Sequence, residues 1–272
     1  MSISFNKPLI CPVLIGRQFE LTALHELIDQ AGHIQKQVVL MSGEAGIGKS
    51  RLAAEAKSYA SEQGFLLLQS TCFPIDASSP YAPLLDLLES PQVKEQLATY
   101  SATSNLSRSE LALLHLDMLS PSSDASSPPL NAEQEKRRLF VTLTRFFTGL
   151  TATQPVLLAL EDIHWSDETS LEFLHYLVRH CANQPLMILA TYRSDEVQSG
   201  LRRWLAQLDR ERLNQEIILQ PLTRDQIEAM LQAIFEQDPS TPDSVRLAPG
   251  TLLETLTTLT EGNPFFVEEI LK

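Results

Sequence analysis

Gly43-Glu44-Ala45-Gly46-Ile47-Gly48-Lys49-Ser50 follows directly on the apolar run Val38-Val39-Leu40-Met41. The pattern is strand, glycine loop, then the start of a helix, with the spacing G-x-x-x-x-G-K-[ST] of a P-loop. Each part has a chemical task. Gly43, Gly46 and Gly48 let the backbone turn tightly and bring its N–H groups close to phosphate oxygens. Lys49 supplies a mobile point charge for the β- and γ-phosphates. Ser50 offers a hydroxyl to Mg²⁺. The new helix points its positive end at the anion. A chance match is rare, on the order of one per cent for a chain of this length at average residue frequencies. A ligand-free glycine turn is the alternative. The helical recurrence of Leu52, Ala53, Ala56, Tyr59 and Ala60 favours the nucleotide reading.

A P-loop needs a carboxylate at the end of a neighbouring strand. Val156-Leu157-Leu158-Ala159-Leu160 followed by Glu161-Asp162 has that form. One acid can help hold Mg²⁺ and the other can orient or deprotonate the attacking water. Two adjacent carboxylates at a buried strand end are costly unless a cation or a raised pKa relieves them. A solvated acidic turn is the competing reading. Arg193 ends the apolar strand Leu186–Ala190 and its polar extension. It can sense a γ-phosphate or stabilise transition-state charge, or it can simply pair with Asp195 or Glu196. Arg202, Arg203, Arg210 and Arg212 form either a solvated helix face or a source of an arginine finger for a neighbouring copy. The finger would imply nucleotide-dependent self-association.

The 272 residues suffice for one large or two modest domains, with 43% hydrophobic and 20% charged residues typical of a globular protein. The net charge of −13 opposes binding to nucleic acid backbones and anionic membranes. Cys11, Cys72 and Cys181 have neither zinc spacing nor a disulfide framework, which fits a reduced, cytoplasmic setting. The first residues lack the basic-then-apolar pattern of a signal peptide, and no apolar run is long enough to cross a membrane.

Strands alternating with helices predict a mostly parallel sheet in a three-layer α/β/α arrangement. Helices are expected over Arg17 to Gln30, with Phe19, Leu21, Leu24, Leu27 and Ile28 on the inward face, in pieces over 80–119 broken by Pro83 and Pro91, and over Ala132–Leu150. Further helices are expected after a Ser166 or Asp167 cap, over Leu201–Leu213, near 223–236 and near 249–260. Phe65–Gln69 and Ile217–Leu219 are further expected strands. Residues 120–131 are of low complexity and read as a flexible loop. Thr223 and Gln226 form a capping box, with Leu222 and Ile227 as a hydrophobic staple. The expected division is a nucleotide-binding domain over 1–221 and a helical lid, cut short, over 222–272.

Five segments in order carry a family resemblance: Leu14-Ile15-Gly16-Arg17, Gly43–Ser50, Leu160-Glu161-Asp162-Ile163-His164-Trp165-Ser166-Asp167, Ala190-Thr191-Tyr192-Arg193 and Glu261-Gly262-Asn263-Pro264-Phe265-Phe266. Over nearly its whole length the chain resembles the AAA-type ATPase domain of STAND signal-transduction NTPases. Such domains are often named origin-recognition-like, and they occur in LuxR-type regulators and multidomain nucleotide cyclases. The resemblance implies a P-loop NTPase fold, with ATP or ADP and Mg²⁺ bound between sheet and lid. It implies nucleotide contacts along Gly43, Glu44, Ala45, Gly46, Ile47, Gly48, Lys49, Ser50 and Arg51. Ile15, Gly16 and Arg17 would lie beside adenine and ribose, and Pro264 would close over the base. Glu161 would stand on the Mg²⁺ side, Asp162 at the catalytic position, and Arg193 as a sensor. Many members carry Asp at the place of Glu161, so the metal-holding acid stays open between Glu161 and Asp162. Members usually continue into further helical regions, which implies effector and sensor domains beyond Lys272. A slow ATP switch is the leading expectation. A DNA-acting origin-recognition-like ATPase and a binding module without appreciable turnover are the alternatives.

Overall fold

The computed structural model describes residues 10–33, 36–91, 93–96, 131–236 and 250–271, with the side chains of 250 and 251 left aside. Most of the expected loop over 120–131, and much of 80–119, lies outside these residues.

Five strands form one sheet: β1 (Gln37–Gly43), β2 (Leu66–Thr71), β3 (Val156–Glu161), β4 (Leu186–Arg193) and β5 (Gln215–Ile218). They stand in the order β2-β3-β4-β1-β5, and every pairing is parallel. Parallel neighbours need crossovers, and helices supply them. α1 (Gln18–Gly32) precedes β1, and the crossover helices are α2 (Lys49–Glu62), α3 (Ala82–Glu89), α4 (Ala132–Thr151), α5 (Glu168–His180) and α6 (Ser199–Glu211). Three more follow β5: α7 (Arg224–Glu236), α8 (Gly250–Thr260) and α9 (Pro264–Leu271).

Side-chain alternation along the strands divides the core. Val38, Leu40, Leu158, Leu160, Ile188 and Ala190 face α3 to α6. Val39, Met41, Leu157, Met187 and Leu189 face α1 and α2. The central strands are thus buried on both sides, as their unbroken apolar runs require. A third core joins Leu222, Ile227, Met230, Leu231 and Ile234 to Leu253, Leu256 and Val267, and it includes Cys11 from the other end of the chain.

Local chemistry sets the boundaries. Asn131 and Gln134 form a reciprocal capping box that starts α4. Asp167, not Ser166, caps α5 by accepting the Ser170 N–H at 2.9 Å. Thr223 and Gln226 exchange backbone–side-chain bonds at the start of α7. Pro83 does not break a helix; it sits in the first turn of α3, where its missing N–H costs nothing. Phe19, read as part of the inward face of α1, is 85% exposed. The buried stripe there is Leu24, Leu27, Ile28 and Ala31, and Phe19 falls off its helical spacing. β4 runs to Arg193, three residues past its apolar part, because β1 keeps pairing with it through Ser42 and Gly43.

Gly262 seats the last helices. Its φ is +84°, and a Cβ there would strike the Leu222 carbonyl oxygen and lie 2.9 Å from the Pro221 Cβ. Its own carbonyl accepts the Leu222 N–H at 2.8 Å. Gly262→Ala should therefore destabilise the packing of α7 to α9 by about 1–3 kcal/mol. Denaturant unfolding and hydrogen exchange in α9 would measure this, and wild-type stability would contradict the close approach.

Candidate nucleotide site

The sequence-predicted motifs meet at the carboxyl end of the sheet. β1 delivers the P-loop, and its register places Gly43 opposite Arg193 of β4. At the end of β3, the Asp162 N–H donates to Thr191 Oγ1 at 3.0 Å. A cavity of about 340 Å³ opens above this edge. Ile15, Arg17, Ala45 to Arg51, Asp162, Arg193 and Pro264 all line it. Gly16, Gly43, Glu44 and Glu161 are not among its lining residues.

The loop is built for an anion. Gly48 has φ +103° and no side chain caps α2, so the first N–H groups of that helix lack an intrahelical partner. Lys49 is 7% exposed, and its Nζ donates to the carbonyls of Gly43 and Glu44, each at 2.8 Å. Burial lowers its pKa, and the Asp162 charge partly opposes that shift. Ser50 is exposed beside it. An uncapped helix start, an ammonium and a hydroxyl at one cavity fit a phosphate with Mg²⁺. Among the described residues no His, Cys, Asp or Glu cluster could hold a metal by itself.

The two acids part company. Glu161 turns toward α2, where Lys57 Nζ donates to its Oε1 at 2.8 Å. Lys57 is the cation that makes two neighbouring carboxylates tolerable at this strand end. Asp162 leaves the strand with φ +57° and faces the cavity. Arg193 also lines the cavity, while its Nη1 donates to Glu196 Oε1 at 2.6 Å. The ion pair and the place at the cavity edge thus coincide in one residue. Arg202, Arg203, Arg210 and Arg212 do not line the cavity: Arg203 pairs with Glu168, and Arg202 donates to the Val197 carbonyl.

Arg17 has a structural task beyond the one the resemblance implies. It is 4% exposed, and its Nη2 donates to the carbonyls of Ile47 at 3.1 Å and Gln220 at 2.7 Å. It ties the P-loop to the segment entering α7. Two further contacts bring the last helices onto the site. Asn263 Nδ2 donates to the Ala45 carbonyl at 2.8 Å, and Glu268 Oε1 accepts the Cys11 N–H at 2.9 Å. Gly46 has φ +78°, and a Cβ there would lie 2.7 Å from that of Phe265.

Residues 13–189 match the family model described as AAA ATPase domain. The chain belongs to that AAA ATPase family. An uncharacterized protein of Rhizobium meliloti (strain 1021) is 27% identical over 271 residues, covering 94% of this chain but 24% of that protein. Among solved structures, the Walker-type ATPase of Pyrococcus abyssi is 18% identical with a TM-score of 0.56, covering 94% of this chain and 66% of that one. The Aeropyrum pernix ORC1 protein, solved in complex with DNA, is 18% identical with a TM-score of 0.52, covering 97% and 60%. Cdc6p of Pyrobaculum aerophilum is 11% identical with a TM-score of 0.55, covering 96% and 61%. At these identities the likeness is one of fold, the P-loop NTPase α/β fold. Among the described residues of this AAA domain, no helix is long and apolar enough to cross a membrane.

Thr191 and Asn263 stand in segments that carry the resemblance, but the sequence gives them no role, and it does not single out Lys57. For Lys57 a signal exists: it follows Ser50 by seven residues and so shares its helix face. Asn263→Ala should loosen the contact between α9 and the P-loop by about 1 kcal/mol, the net value of one hydrogen bond. Faster hydrogen exchange in α9, with the sheet unchanged, is the expected result.

Proposed function

We propose that this AAA domain binds ATP with Mg²⁺, hydrolyses it slowly, and acts as a nucleotide switch within a signalling or transcription-regulatory protein. The convergence of Lys49, Asp162, Arg193 and Pro264 on one cavity carries the reading. Lys49 and the N–H groups at the start of α2 bind the phosphates. Ser50 and, once released from Lys57, Glu161 would hold Mg²⁺, which when bound offsets charge on the phosphate oxygens. Asp162 orients the attacking water and takes up its proton. Arg193 leaves Glu196 to meet the terminal phosphate. Ile15 and Pro264 flank the base.

The domain division belongs to the same proposal. Residues 1–221 form the nucleotide-binding part and 222–272 the lid, with the segment at Cys11 packed into the lid's core. The Asn263–Ala45 bond supports a lid whose position depends on the state of the loop. Effector and sensor domains beyond the lid are part of the reading, since the chain spans about a quarter of the curated relative's length, 24%.

The test is nucleotide identification on the purified protein followed by a turnover assay. Slow, Mg²⁺-dependent release of phosphate from ATP is expected. Lys49→Ala should cost roughly 2–5 kcal/mol in ATP binding, as loss of a buried charge contact does. Unchanged affinity would defeat the phosphate assignment. Asp162→Asn should lower kcat by roughly two to four orders of magnitude while sparing ATP binding. Should Glu161→Gln give that phenotype instead, the two acids exchange roles.

A further inference from the structure

His164 belongs to a one-turn helix, Ile163–Trp165, that follows directly on Asp162. It is 1% exposed, and neither ring nitrogen has a hydrogen-bond partner. Nδ1 lies 3.8 Å from Asp162 Oδ1, and Nε2 lies 3.5 Å from Glu196 Oε2. The other oxygen of Glu196 is held by Arg193. The imidazole therefore stands between the acid that faces the cavity and the partner of the cation that faces it, bonded to neither. Packing alone gives no reason for a histidine here. Two unpaired buried nitrogens are costly, and an apolar side chain of similar volume would avoid the penalty.

We propose that His164 is a positioning residue that links Asp162 to Arg193 through Glu196. This inference rests on the ATPase reading above. Burial favours the neutral ring, which has one N–H and one lone pair and so donates to one carboxylate only. Nε2 lies nearer Glu196 than Nδ1 lies to Asp162, and Arg193 occupies the other oxygen of Glu196. A shift of a fraction of an ångström makes Nε2–H the second donor to Glu196, which, fixed at both oxygens, then holds Arg193 at the cavity edge. The Nδ1 lone pair faces Asp162, and repulsion keeps that carboxylate turned toward the cavity it lines.

The test compares His164→Leu, His164→Asn, His164→Gln and Glu196→Gln in the full chain, each measured for ADP affinity and for ATP turnover. His164→Leu should bind ADP as the unmodified protein does and lose roughly ten- to a hundredfold in kcat. At least one amide should recover part of the loss, since Asn can reach Asp162 and Gln can reach Glu196. Glu196→Gln should also lower kcat, and the double variant with His164→Leu should be no worse than His164→Leu alone. In nitrogen-15-labelled protein, the ring signal missing from His164→Gln should report the proton on Nε2, the nitrogen that faces Glu196. An unimpaired Leu variant, or a proton on Nδ1, would overturn the coupling. If the Leu variant does not fold, a silent Glu196→Gln overturns it, because that half-exposed residue would then have no catalytic link. Absence of ATP turnover in the unmodified protein would defeat the ATPase reading and this one together. Turnover with an unimpaired Leu variant would defeat this one alone.

Discussion

The parallel pairing of β1 with β4 is the constraint from which the site descends. Seven register partners run from Gln37↔Met187 to Gly43↔Arg193, and the last of them brings the P-loop and Arg193 to the same edge. β3 adds Asp162 on the far side of β4, fixed there by Thr191. A slip of one residue would reverse every side chain on a strand and send Met41 or Leu40 to the wrong core. The two-sided burial of these strands makes such a slip expensive, so the chemistry inherits its precision from packing. The loop contributes the groups, and the sheet decides where they point.

The last helices add a second level of control. They have their own core, and they touch the P-loop through a specific polar bond as well as through Phe265 against Gly46. Asn263 holds the Ala45 carbonyl, and Arg17 gathers Ile47 and Gln220. Bonds of this kind are worth about 1 kcal/mol each, so a ligand can exchange them without unfolding anything. Lys49 is in the same condition: its two carbonyl partners are replaceable by phosphate oxygens. Arg17, Lys49 and Arg193 are thus each held at the cavity edge by protein oxygens.

Much of this was readable in the sequence, for identifiable reasons. The P-loop, the acid pair and Arg193 were found because glycine spacing and polar residues at the ends of apolar runs are local signals. The helix starts at Asn131, Asp167 and Thr223 are local too, being side chains that bond three residues away. What escaped was long in range. Lys57 meets Glu161 across 104 residues, Arg17 meets Gln220 across 203, and Asn263 meets Ala45 across 218. No periodicity records such pairs, because each depends on how layers stack rather than on how a segment coils. For the same reason Arg17 was read as a ligand contact when half of its purpose is to clamp the loop. Pro83 was misread locally, since a proline that ends one helix and a proline that begins another look alike without a partner strand.

The bond from the Cys11 N–H to Glu268 spans 257 residues. It closes the cavity wall with one piece from each end of the described chain. Closing so long a loop is entropically unfavourable until the intervening layers exist. During synthesis, the Cys11 N–H has no carboxylate to meet until Glu268 of α9 has been made. A half-made chain can shape the glycine loop but lacks one side of the cavity wall. The complete cavity is then a property only of a chain translated through α9.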